Sequence, residues 1–97
     1  MSLDYRRWQH LFSRLPKDKW TLGDHLFMAR RRERLYPQTV AGMMGWSLST
    51  LSKYERAGDP GGVYPPARKL ARLCDYLKVN PTDAFAGIRN DRSAEGK

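Results

Sequence analysis

Residues 39–55 read TVAGMMGWSLSTLSKYE, and this stretch decides the fold of the chain. Ala41 is small enough to let a second helix approach closely. Gly45, four residues later, can take the left-handed backbone that ends a helix without a steric penalty. Ser47 can then cap the next helix by accepting a hydrogen bond from a free backbone N–H group. The stretch therefore predicts two short helices, joined by a tight turn.

The second of these helices is predicted from Leu48 to about Ala57, closed by Gly58. Leu51 and Tyr54 lie three residues apart and place one side of it on a core. The opposite side stays free and carries Leu48, Ser49, Ser52 and Lys53. An exposed helix held at a fixed angle by a partner helix has the geometry that enters the major groove of DNA.

The bulk properties of the chain agree with a polyanionic partner. Its 97 residues make one small domain, and the net charge of +8 with a pI of about 10.1 favours nucleic acid. A basic surface without any ligand is the alternative reading. Cys74 stands alone, so no internal disulfide can form, and it is predicted to be a small core residue. No segment resembles a secretion signal or a membrane span, and we expect a cytoplasmic protein without a membrane partner.

Further helices flank the central stretch. Apolar residues recur at helical spacing over residues 4–15, and Pro16 ends that run. Thr21 and Asp24 form a capping-box-like pair at the start of a helix that runs to about Arg34. Another is predicted over residues 37–44, with Val40, Ala41 and Met44 facing inward and Met43 also used in packing.

The second half of the chain predicts a loop and two more helices. The loop has the composition Gly58-Asp59-Pro60-Gly61-Gly62, and Pro65-Pro66 opens the helix after it. The inner side of that helix is predicted to carry Leu70, Leu73, Cys74 and Leu77. Asn80 and Pro81 begin a last short helix, with Phe85 facing the core. From Gly87 onward the sequence is polar, and we expect it to be frayed.

In this order and register, the motifs of residues 22–85 resemble the Cro/repressor-type helix-turn-helix domain, often called the XRE family. The first helix carries its pattern as Leu22, Gly23, Leu26 and Arg30, and the second carries Ala41 and Gly45. The third carries Ser49, Thr50, Leu51, Ser52 and Glu55. The resemblance implies an all-α, five-helix bundle, with the amphipathic helix as an addition at the amino end. The expected division is an extension over residues 1–20, the DNA-binding domain over 21–86 and a polar tail over 87–97.

The resemblance also implies which residues contact double-stranded DNA. Base edges would face Leu48, Ser49, Thr50 and Lys53 on the third helix. Lysine can donate to guanine N7 and O6, serine pairs with several bases, and leucine can touch a thymine methyl. Phosphates would face Gln38 at the start of the second helix. Separately from the resemblance, the run of arginines near the end of the first helix is a candidate phosphate patch, and Arg31 and Arg32 are its members that either contact a phosphate or face solvent, since a helix points them in different directions. Arg30 and Glu55 would form a structural ion pair between the first and third helices.

The chain also departs from the family pattern. Pro37 stands where the family often has a phosphate-gripping glutamine, and Arg34 stands where a glycine often ends the first helix. Leu48 replaces a polar residue at the first reading position. The loop after the third helix is about four residues longer than usual in the family.

Three functions fit the sequence. The first is sequence-specific DNA binding that regulates transcription. The second is an antitoxin that binds DNA and also a partner toxin, through the amino-terminal helix or the loop of residues 58–64. The third is a protein-interaction module that has lost DNA binding. The amino-terminal apolar stripe either folds onto the domain or pairs with a second copy in a homodimer.

An enzyme is not expected. His10 and His25 lie in separate predicted helices. Neither has a nucleophile or a metal-ligand cluster at suitable spacing, and no cofactor is implied.

Overall fold

The computed structural model describes residues 16–92, and within this range it contains five α-helices and no strand. A short 3₁₀ turn, Lys17–Lys19, comes first. The helices are α1 (Leu22–Arg32), α2 (Pro37–Met44), α3 (Leu48–Tyr54), α4 (Ala67–Leu77) and α5 (Pro81–Arg89). The predicted all-α, five-helix class is confirmed. The helix expected over residues 4–15 lies outside the described residues.

α1, α3 and α5 each begin directly after the residue that the sequence predicted to cap the helix. Thr21 and Asp24 form a complete capping box at the start of α1, each side chain bonded to the backbone N–H of the other. The Ser47 hydroxyl accepts from the Thr50 N–H at the start of α3, and the Asn80 side chain accepts from the Thr82 N–H at the start of α5. Gly45 ends α2 with φ of 77°, as its position predicted.

Two helices are shorter than predicted. α1 ends at Arg32, and Arg34 adopts the left-handed conformation, with φ of 57°, where glycine is usual. α3 ends at Tyr54, three residues before the predicted end at Ala57. The Ala57 carbonyl accepts from the Gly23 N–H at 2.9 Å, so this backbone pairs with α1 where the helix was expected to continue.

One core holds the five helices together. Its largest fully buried apolar side chains come from four of the five helices, namely Leu22, Leu26, Val40, Leu51, Leu73 and Leu77. Cys74 is buried among them as a free thiol, as predicted, and burial raises its pKa. The inward positions predicted for α2 are also buried. These four helices therefore present apolar stripes to the same interior, and α5 adds Ala84 to it.

Two apolar residues predicted to pack inward are exposed. Phe85 is 62% exposed, so its predicted core position is wrong. Ala84 and Gly87 occupy the buried side of α5, and helical spacing turns Phe85 away from them. Gly87 lies so close to α1 that an added Cβ would be 2.8 Å from the Leu22 nitrogen. Met43 is 60% exposed, because α2 buries its neighbour Met44 instead.

Residues 87–92 have more regular structure than their polar composition predicted. α5 continues through Gly87 to Arg89, so the predicted fraying from Gly87 onward is wrong for this part. Asn90 donates side-chain hydrogen bonds to the carbonyls of Asp18 and Trp20. These bonds join the end of α5 to the turn that precedes α1.

Candidate nucleic-acid interface

One side of α3 is exposed along its whole length. Leu51 and Tyr54 are buried, whereas Leu48, Ser49, Ser52 and Lys53 face solvent. Leu48 is 44% exposed, a large fraction for an apolar side chain. Thr50 is only half-buried, and its hydroxyl accepts a hydrogen bond from Ser47. Four residues were predicted to reach base edges. The Thr50 hydroxyl is hydrogen-bonded to Ser47 at the start of α3, whereas Leu48, Ser49 and Lys53 point outward.

The turn between α2 and α3 is braced from behind by α4. Trp46 is half-buried and meets the Tyr54 ring edge-on, with the ring centroids 5.3 Å apart. Lys69 of α4 places its Nζ over both rings and donates to the Tyr54 hydroxyl at 3.3 Å. Trp46 therefore serves in packing, and the angle between α2 and α3 is supported by contacts on their inner side.

Arg30 and Glu55 form a two-pronged ion pair between α1 and the end of α3. Arg30 Nε lies 2.7 Å from Glu55 Oε2, and Arg30 Nη2 lies 3.1 Å from Glu55 Oε1. The two side chains are only 8% and 9% exposed. Burial raises the pKa of Glu55, and the hydrogen bonds and charge of Arg30 oppose that rise. Arg30 Nη1 also donates to the Leu35 carbonyl, so the same guanidinium orients the segment that enters α2.

The first turn of α2 has few donors left for a phosphate. Pro37 has no N–H group, and the N–H groups of Thr39 and Val40 both donate to the Tyr36 carbonyl. No side chain among the described residues caps this helix. Gln38 is exposed, so its side-chain amide and backbone N–H are the donors of this turn that can face a phosphate.

The two arginines predicted to touch phosphates already have partners within the protein. The Arg31 guanidinium lies 5.9 Å from the centre of the Phe27 ring. Arg32 Nη2 donates to the carbonyls of Leu77 and Lys78, at 3.0 and 3.2 Å, and so caps the end of α4. The structure thus places Arg32 at α4 rather than beside α3.

The sequence profile of a family described as a helix-turn-helix domain matches residues 21–85. The chain belongs to this helix-turn-helix family. The family is of the Cro/repressor kind, so the resemblance drawn from the sequence motifs is confirmed. Searches of curated proteins and of solved structures found no significant match.

Within the helix-turn-helix domain, α2 and α3 are the two helices of the motif, and residues 45–47 are its turn. The exposed side described above belongs to the second helix of the motif, the one that such domains place in the major groove. Across residues 16–92 no helix combines the length and apolar character of a membrane span. The same residues contain no cluster of three or more side chains suited to a metal ion.

Sequence reasoning missed one charged cluster of the helix-turn-helix domain. Arg92 Nη2 lies 3.0 Å from Asp24 Oδ2, and Arg92 Nε lies 2.8 Å from Asp59 Oδ1. The partners are 68 and 33 residues away along the chain, so no local spacing could reveal the contact. Asp24 had been recognised only as a capping residue. The cluster joins the amino end of α1 to the loop that follows α3.

Proposed function

We propose that this helix-turn-helix protein is a sequence-specific DNA-binding regulator of transcription that reads the major groove with α3. The observation that carries the proposal is the two-sided character of α3. Its apolar side is packed into the core, and its polar side is exposed and carries Lys53. A helix of this kind can enter the groove without disturbing the fold.

Each exposed residue of α3 has a chemical role in this proposal. Lys53 would donate to guanine O6 or N7, and Ser49 would pair with a neighbouring base. Leu48 offers an apolar contact for a thymine methyl group. Thr50 would stand beside these readers, because its hydroxyl already accepts from Ser47. Discrimination between sequences would come from this face.

Affinity would come mainly from phosphates. Gln38 and Arg31 are the proposed direct contacts, and Arg32 adds to the positive field while it caps α4. With a net charge of +8, binding should weaken steeply as salt rises, because bound cations are released from the DNA. The regulator would act in the cytoplasm by blocking or recruiting the transcription machinery, with no chemistry of its own.

Lys53→Ala is expected to weaken specific DNA binding by about 1–3 kcal/mol, the usual value of a lysine or arginine contact to a guanine edge. The melting temperature should stay nearly unchanged, because the side chain is exposed. Titration of a labelled specific duplex by fluorescence anisotropy, with a thermal melt of each protein, measures both quantities.

The matched control is Lys19→Ala, which removes the same charge from the exposed 3₁₀ turn before α1. We expect this change to weaken binding only slightly and equally for all sequences. Equal losses for the two variants would mean that α3 is not the reading helix.

A second candidate function, binding of a partner protein or of a second copy, is favoured by the exposed apolar residues of α5. Phe85 and Ile88 lie three residues apart and are both exposed within the described part of the chain. An antitoxin or a homodimer needs a surface of this kind in addition to the DNA-binding face. The sequence supplies another apolar stripe in residues 4–15, and two arrangements are proposed for it, folding onto its own domain or pairing between copies.

Deletion of residues 1–18 distinguishes these arrangements and also tests residues 1–20 as an extension of the domain. If the stripe folds onto its own domain, the fragment keeps the monomer mass but melts earlier or aggregates. If the stripe pairs two copies, the mass measured by light scattering falls by half. An unchanged mass and an unchanged melting temperature would show that the segment is dispensable. Phe85→Ser in the full chain tests whether α5 belongs to the same surface.

A further inference from the structure

Arg92 holds the start of the loop that follows α3. This loop, residues 55–66, is called the α3–α4 loop below. The Arg92 N–H donates to the Gly58 carbonyl, and its guanidinium binds both carboxylate oxygens of Asp59. The same guanidinium binds Asp24, which is only 2% exposed at the amino end of α1. One side chain therefore fastens the loop to the first turn of the domain.

The far end of the α3–α4 loop is also fastened to the carboxyl end of the described chain. The Tyr64 hydroxyl donates to Asp91, the residue next to Arg92. The loop also forms hydrogen bonds within itself. The Asp59 N–H donates to the Arg56 carbonyl, and the Gly62 N–H donates to the Asp59 carbonyl. The course of the loop is therefore set from both ends.

The loop in turn caps α3. The Val63 N–H donates to the Lys53 carbonyl at 3.1 Å, in the last turn of that helix, and shares this carbonyl with the Arg56 N–H at 3.2 Å. The final carbonyls of a helix have no partners inside it, and a helix of seven residues has few internal bonds of its own. The capped carbonyl belongs to the residue whose side chain is the proposed reader of guanine.

We propose that Arg92, acting through Asp59, is a positioning residue for DNA reading. The contacts of the Arg92 guanidinium with Asp59, called the clamp below, hold the α3–α4 loop against the end of α3. The loop in turn sets the position and orientation in which the Lys53 side chain meets a base edge. This proposal rests on the proposed function of α3. It adds that residues far along the chain, which touch no DNA, set the selectivity of the reading helix.

Asp59→Ala is the variant that tests the clamp. It removes both guanidinium contacts of the loop, while the Arg92 N–H keeps the Gly58 carbonyl and the buried Asp24 keeps its partner Arg92. The change also removes a negative charge, and by electrostatics alone that would strengthen binding to DNA. The positioning role predicts the opposite sign, a loss of about threefold to tenfold on the specific duplex, in the lower part of the range for residues coupled in one network. The charge-matched control is Asp75→Ala, at an exposed position on α4.

The decisive measurement is a double-mutant cycle between Asp59→Ala and Lys53→Ala, on a duplex selected by the wild-type protein. We expect the loss caused by Lys53→Ala to shrink by at least half in the Asp59→Ala background, since a misplaced lysine contributes less. Hydrogen exchange of the Val63 N–H should become faster in Asp59→Ala, while core amides stay protected. If Asp59→Ala fails to fold, Arg92→Lys replaces it, because one ammonium group cannot bind both carboxylates as the guanidinium does.

Three results would overturn the positioning role. They are losses that simply add in the cycle, an Asp59→Ala protein that binds as tightly as Asp75→Ala, and unchanged exchange of the Val63 N–H. Each is obtained with a wild-type protein that binds its selected duplex, so each leaves the proposed function standing. A wild-type protein that binds no duplex preferentially would overturn the proposed function itself.

Discussion

Glu55→Ala is expected to lower the free energy of unfolding by about 3–5 kcal/mol, because it leaves Arg30 charged and without its partner in a nearly closed site. Arg30 is only 8% exposed and would keep just one of its three described acceptors, the Leu35 carbonyl. Urea unfolding of the two proteins, followed by circular dichroism, measures the difference.

Glu33→Ala provides the control for that loss. Glu33 also pairs with two cations, Arg32 and Lys78, but at 3.6 and 3.5 Å and with partners that are largely exposed. A surface pair of this kind contributes about 0–1 kcal/mol. A Glu55→Ala protein that unfolds like Glu33→Ala would contradict the structural role of the buried pair.

Gly23→Ala is expected to destabilise the domain by about 1–3 kcal/mol or more through overpacking. A Cβ at this position would lie 2.5 Å from the Glu55 carbonyl oxygen and 2.6 Å from the Ala57 nitrogen. Both are backbone atoms just beyond α3, so no side chain can move aside. The loss outweighs the gain of about 1 kcal/mol that alanine brings to a helix interior.

Gly42→Ala is the matched control, with an expected effect of opposite sign. Gly42 lies within α2, is exposed, and has no atom within 4 Å of an added Cβ. The substitution should therefore stabilise the protein by about 0.5–1 kcal/mol. Thermal melts of both variants suffice for the comparison. A Gly23→Ala protein as stable as wild type would mean that α1 and the end of α3 do not meet as closely as described.

The close approach at Gly23 and the Arg30–Glu55 ion pair explain how α3 is held in place. Gly23 lets the backbone of α1 reach the residues after α3, and its N–H donates to the Ala57 carbonyl. The Arg30–Glu55 pair fastens the same region from the side. Together with the Trp46–Tyr54 contact, they fix the inner side of α3 and leave the outer side free.

Local patterns in the sequence predicted the helices well, because their determinants lie within a few residues of each other. The Thr21–Asp24 capping box, the Gly45 turn and the Ser47 cap are each completed within three or four positions. α2 and the two-sided pattern of α3 follow from the same local rules. The ends of α1 and α3 were less predictable, since α3 stops where Ala57 bonds to α1 instead of continuing the helix.

Features that depend on distant packing were not predictable. Periodicity alone could not show that α5 would bury Gly87 against α1 and turn Phe85 to the surface, because that depends on how closely two helices approach. The sequence predicted that Arg32 contacts a phosphate. It could not show that the Arg32 guanidinium donates to carbonyls at the end of α4, which is distant in the chain. Arg92 joins residues 33 and 68 positions away, and nothing near it in the sequence indicates a partner.

The central claim is that the outward side of α3 reads base pairs. Selection of bound sites from a random duplex library tests this claim most directly. Wild type and Lys53→Ala would be selected in parallel at one salt concentration. We predict that both recover a shared motif, and that Lys53→Ala loses its preference at one guanine-containing base pair in each recognition site. Identical motifs from the two proteins, or no enrichment by wild type, would contradict the claim.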